Sequence, residues 1–148
     1  MARRVFFSFH YQLDIWRVNQ IRNIPNVIGC SAAGFQDASI WEEAEKKGDA
    51  AIKALINRGL DNTTVTVVCV GSKTAGRTYI NYEIDQSTAR GNGIVAIQIH
   101  HLENQEGQTD PAGAIPSKIE AKGYKAYKYV DHERLGKWIE EAAKAAGK

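Results

Sequence analysis

The chain has 148 residues, 43% of them hydrophobic and 24% charged, with Lys+Arg 19 against Asp+Glu 17 and a formal charge of +2. That length suits one core of ordinary size, and the composition excludes disordered, fibrous and low-complexity chains. The near-balanced charge argues against an electrostatic binder of nucleic acid or of an anionic membrane.

Val5-Phe6-Phe7-Ser8-Phe9 is β-branched and aromatic and runs into polar His10-Tyr11-Gln12, which predicts a buried first strand ending in a loop. Leu13, Trp16, Ile21 and Ile24 recur near helical spacing until Pro25, predicting a helix over about residues 13–24. Val27-Ile28-Gly29-Cys30 fits a short, weakly marked second strand. A helix start at Ser39-Ile40-Trp41 is followed by a second start at Gly48-Asp49, so either one kinked helix or two short ones reach Gly59. Thr64 to Val70 has the apolar, β-branched character of a central parallel strand.

A polar loop, Ser72-Lys73-Thr74-Ala75-Gly76, then leads to a helix from about Arg77 to Arg90, stopped by Gly91-Asn92-Gly93. Ile94 to Ile99 is a further strand. His100 to Gly123, with Pro111 and Pro116, predicts a long loop holding one short helix, and loops of that length are commonly functional or mobile. Tyr124 to Val130 fits an edge strand, and Glu133 to Ala146 a closing helix with Leu135, Trp138, Ile139 and Ala142 inward.

This alternation demands a doubly wound α/β fold, and five strands in so short a chain predict a flavodoxin-like parallel sheet of order 2-1-3-4-5 with helices on both faces. The whole chain, 1–148, is expected to form one domain. Ligands of such sheets bind beyond the carboxyl ends of the strands, where strands one and three diverge. Here those ends are Ser8 to Tyr11 and Gly71 to Thr74.

Several chemistries fail there. Phe9-His10-Tyr11-Gln12 has no glycine and forms neither a dinucleotide fingerprint nor a phosphate loop. Phe9-His10 and Gly71-Ser72 stand where a phosphoacceptor receiver would need acidic residues. Cys30 and Cys69 make neither a disulfide framework nor a zinc set, which predicts a reducing compartment, with Cys69 packed as a small hydrophobe. His100-His101 lacks a third metal ligand. No run approaches the roughly 20 apolar residues of a membrane span or a signal-peptide core, so a cytoplasmic location is expected. Glu83, two turns into the helix after strand three with Tyr79 one turn before it, lies near the expected crevice. The bland alternative is a solvated helix glutamate, and at least partial exposure is expected of it.

Phe7-Ser8-Phe9-His10-Tyr11, and Ser72-Lys73-Thr74 followed by Arg77 and Tyr79-Ile80-Asn81-Tyr82-Glu83-Ile84, resemble the opening box and the serine-loop-to-glutamate segment of Toll/interleukin-1 receptor (TIR) domains. With Ser31-Ala32-Ala33-Gly34, Asp37-Ala38-Ser39 and Trp41-Glu42-Glu43-Ala44, the spelling is similar to the TIR-like ThsB proteins of the bacterial Thoeris antiphage system, from residue 2 to about residue 100. The resemblance implies cleavage of the nicotinamide–ribose bond of NAD and closure of the product into a cyclic ADP-ribose isomer that activates a partner effector. It makes NAD the substrate, requires no separate cofactor and no metal, and implies a phage protein as trigger and self-assembly on activation. It carries the catalytic role to Glu83. Phe9, His10 and Tyr11 become the crevice floor, Asp37, Ser39 and Trp41 its far wall, and Ser72 and Tyr79 complete the substrate-binding set. The segment from Gly34 to Gly48 departs from receptor TIR domains in lacking their proline-glycine turn. A non-catalytic sensing or assembly module on the same fold is the alternative. A flavin binder is a third reading, against which the missing phosphate-cradling loop counts.

Overall fold

Five strands pair only in parallel, in the order β2-β1-β3-β4-β5. In this computed structural model, which describes residues 2–36 and 39–148, they are β1 (Arg3–Ser8), β2 (Val27–Cys30), β3 (Val65–Val70), β4 (Gly93–Gln98) and β5 (Lys125–Lys128). The expected strand order is the one observed. Parallel neighbours need crossovers. These are α1 (Tyr11–Ile21), α2 (Ser39–Lys47), α3 (Asp49–Leu60), α4 (Thr78–Ala89) and the short α5 (Ser117–Ala121), and α6 (His132–Ala145) closes the chain. Among the described residues no helix is long and apolar enough to cross a membrane.

Both faces of the sheet are covered, so β3 is buried along its whole length. Its residues alternate: Val65, Val67 and Cys69 share a core with Val18 and Ile21 of α1 and Leu135 and Ile139 of α6, whereas Val68 and Val70 pack with Ile80 and Ile84 of α4 and Ile119 of α5. The ambiguity at Gly48 resolves as two helices. Gly48 has a φ of 109°, a conformation open to glycine and rarely to other residues, and it separates α2 from α3.

The inward face of α1 departs from the apolar spacing. Trp16 is 49% exposed, while Asp14 and Arg17 are fully buried. Arg17 is inside because its guanidinium is partnered on several sides: Nε donates to the Leu102 carbonyl (2.8 Å), Nη2 to the Gln108 carbonyl (3.1 Å) and Nη1 to Asp14 Oδ1 (2.9 Å), and Nη1 also forms an ion pair with Asp110 Oδ2 at 3.1 Å. Arg17 thus pins the segment after β4 to α1, and Gln20 Nε2 adds a donation to the Glu103 carbonyl at 2.6 Å. A Cβ at Gly71 would collide with the Asp14 carboxylate, so the end of β3 closes directly over this cluster.

Removing the guanidinium leaves Asp14 buried beside an unpaired Asp110 and frees two carbonyls. Arg17→Ala is therefore expected to lose about 3–5 kcal/mol of stability at neutral pH, read by urea denaturation. A loss below about 1 kcal/mol would contradict this account.

Candidate functional site

At the carboxyl end of β1 the chain passes from Ser8 through Phe9 to His10, whose Nδ1 accepts the Leu13 N–H at 3.2 Å and caps α1. That role makes the ring an acceptor. Burial, then the positive charge of Arg77, lowers its pKa, and His10 is uncharged at neutral pH. Across from it α4 turns Ile80, Glu83, Ile84 and Ser87 inward, the spacing of one helix face.

Glu83 is 1% exposed, which corrects the expectation of a partly solvated glutamate. Ser8 Oγ donates to its Oε1 at 2.7 Å, and no hydrogen-bond partner among the described residues reaches Oε2. Burial pushes the carboxyl from 4.5 up to about 8, and the Ser8 hydrogen bond opposes it without cancelling it. The group therefore holds a proton through most of the neutral range. The same burial, with Glu83 adding to it, raises the Tyr11 phenol and the Cys69 thiol.

An aromatic frame surrounds the carboxyl. Phe9 and Tyr11 lie 4.3 Å apart between ring centres, Tyr11 stacks on Trp41 at 4.9 Å and 11°, and Trp41 meets Tyr79 edge-on at 5.7 Å. Tyr11 is fixed by accepting the Ala33 N–H at 2.9 Å, and Tyr79 by donating to Asp49 at 2.7 Å. Together with His10 and Glu83 these rings line a cavity of about 370 Å³, whose rim carries Gln12, Glu45 and Arg77. A larger open groove of about 1300 Å³ lies at the amino ends of the strands, beside Arg3, Glu140 and Lys144. Arg3 is there paired with exposed Glu140 at 2.6 Å, and among the described residues the groove is lined by no buried acid. Among the described residues, no three His, Cys, Asp or Glu side chains gather where they could hold a metal ion. An aromatic-framed slot with one buried carboxyl suits a flat, polar-edged ligand in which positive charge appears.

Residues 6–104 match the family of the Thoeris protein ThsB, TIR-like domain. The chain belongs to that family. It is also similar to a Bacillus cereus (strain MSX-D12) protein named "Putative cyclic ADP-D-ribose synthase ThsB1", with 46% identity over 150 residues covering 95% of this chain and 76% of that one. The family segment runs from β1 past β4 and contains every residue of the aromatic cavity. α5, β5 and α6 lie beyond it.

The sequence-predicted residues divide. Phe9, His10, Tyr11, Trp41, Tyr79 and Glu83 come together around the cavity. Ser72 lies outside the cavity lining and donates to Asp110 at 3.3 Å, on the Arg17 side of the strand ends. Ser39 opens α2 on an exposed turn and is not among the described residues lining the cavity, and Asp37 lies outside the described residues. Sequence reasoning missed Ser8, Gln12, Glu45 and Arg77. For Ser8 a signal existed: a lone hydroxyl inside an otherwise apolar strand needs a buried partner.

A carboxyl raised from 4.5 to about 8 binds more protons folded than unfolded, so between those values it makes the fold less stable as pH rises. Glu83→Gln removes that titration while keeping the shape. The stability of the variant relative to the native chain should climb from about pH 4.5 to about pH 8 and then level off, as read by urea unfolding at a series of pH values. A pH-independent difference would show that Glu83 is not desolvated.

Proposed function

We propose that this chain is an NAD-consuming enzyme of antiphage defence, breaking the nicotinamide–ribose bond and closing the product into a cyclic ADP-ribose isomer that activates a partner effector. The observation that carries this reading is the buried Glu83 carboxyl, with one oxygen unpartnered, in the wall of an aromatic cavity at the divergence of β1 and β3. The name of the Bacillus cereus relative supports the same reaction class.

The chemistry fits one carboxylate and no metal. When the bond breaks, its electron pair returns to the pyridinium nitrogen, and nicotinamide leaves as a neutral base without needing a general acid. Positive charge then grows at the ribose carbon and ring oxygen. An ionised Glu83 accepting a hydrogen bond from a ribose hydroxyl stabilises that charge, as carboxylates do in glycoside hydrolysis. The cationic substrate itself favours the ionised form of Glu83, so NAD brings positive charge to a carboxyl whose one side-chain donor among the described residues is the neutral Ser8 hydroxyl. The faces of Trp41 and Tyr11 offer further cation stabilisation. Capture by a nucleophile of the same molecule gives a cyclic product, and capture by water gives ADP-ribose. Either nucleophile gives up a proton. NAD is then substrate and not resident cofactor, and the trigger is a phage protein acting on chains that assemble.

Glu83→Gln keeps volume and loses charge. Nicotinamide release from NAD should fall about a hundredfold or more in that variant while its circular dichroism stays native. Mass spectrometry of infected cells should show an ADP-ribose isomer with the native chain alone. Antiphage protection that survives the substitution, with no NAD consumed, would make the domain a sensing or assembly module instead.

A further inference from the structure

α4 presents two buried polar side chains to the sheet, one helical turn apart. Glu83 meets Ser8 of β1 at 2.7 Å, and Ser87 meets Thr66 of β3, also at 2.7 Å. Both contacts tie the helix to the strands through a hydroxyl, but only Glu83 lines the aromatic cavity. The two contacts therefore make a matched pair, one at the cavity and one in the scaffold.

We infer that Ser8 is a positioning residue for Glu83: its hydroxyl commits Oε1 to the protein, so that Oε2 is the oxygen left for the substrate's ribose. This rests on the reading of Glu83 given above. Three observations support it. Ser8 is fully buried on β1, paired through Val68 with β3, so its Oγ is held by a strand inside the sheet. Packing alone would favour an apolar residue there, as at Val5, Phe6 and Phe7 of the same strand. Ser8 is also the sole side chain among the described residues that donates to Glu83, so it alone resists the effect of burial on that carboxyl. A carboxylate with two free oxygens would rotate, and fixing one lowers the cost of aligning the other with the reacting sugar.

The other ionisable groups around Glu83 leave its titration visible. Tyr11 from α1 and Cys69 from β3 are both raised by burial and stay uncharged at neutral pH. His10 is lowered and titrates on the acid side. α3 contributes Asp49 and Lys53, paired with each other at 3.1 Å, while Glu45 of α2 and Arg77 stand at the rim.

The test compares Ser8→Ala, Ser8→Cys, Ser87→Ala and Glu83→Gln with the native chain in two measurements. One is the pH profile of nicotinamide release, and the other is direct titration of the Glu83 carboxyl by carbon-13 NMR, which needs no turnover. Ser8→Ala should raise the Glu83 midpoint and the acid limb of the profile by about one pH unit and lower kcat about tenfold, with a much smaller change in KM. Ser8→Cys, a weaker donor of similar size, should fall between the two. Ser87→Ala should lose stability while leaving midpoint and profile unchanged. A native midpoint in Ser8→Ala overturns the proposal, and so does an equal shift in Ser87→Ala. Turnover that survives in Glu83→Gln would instead strike the functional reading, and the NMR midpoints would still decide whether Ser8 controls the carboxyl.

Discussion

A parallel sheet whose first strand lies in its interior must send successive crossovers to opposite sides, and that constraint creates the site. β1 is hydrogen-bonded to both β2 and β3, so the chain leaving β1 and the chain leaving β3 diverge and leave a gap at their carboxyl ends. Every group of the aromatic cavity is delivered to that gap by an element whose course is already fixed by the sheet. α1 begins there because His10 caps it, and α4 carries Glu83 down its inner face. The location is a property of topology, and the chemistry comes from the side chains placed in it.

Two buried acids on this scaffold, each raised by burial and each with one oxygen unpartnered among the described residues, are given different partners. Asp14 is given a guanidinium at 2.9 Å, and Arg17 is in turn satisfied by Asp110 and two carbonyls. Glu83 is given only a neutral hydroxyl. A hydrogen bond to a charged group contributes about 1.5–3 kcal/mol, less than the several kcal/mol that an isolated buried ion costs. The first arrangement holds a loop in place. The second leaves an acid short of compensation, and a stability cost at a pocket-lining position is a common sign of function.

Strand order, element sequence and the gap were legible because each rests on local signals: β-branched runs, glycine stops and helical spacing. Trp16 shows where such signals fail. Apolar spacing alone turns it inward, but Arg17 takes the buried place because its acceptors, Leu102, Gln108 and Asp110, come from a segment far along the chain. The same remoteness hid the burial of Glu83, whose depth is set by Ser8, Tyr11 and Trp41 on three other elements. Ser72 shows the converse. Its place at a strand end suggested the cavity, yet the strand end is wide enough to serve two neighbourhoods, and Ser72 falls in that of Asp110. The family resemblance, carried by the β1 box, the segments between residues 31 and 44 and the stretch from Ser72 to Ile84, reached the acid and the rings around it but not how deeply that acid is buried.

Tyr11 joins parts of the molecule that otherwise have little in common. Its ring is one wall of the slot, stacked on Trp41, while its hydroxyl holds the backbone of Ala33 in the connection that follows β2, the outermost strand on that side. Moving that connection would therefore move the phenol and, with it, one wall of the slot.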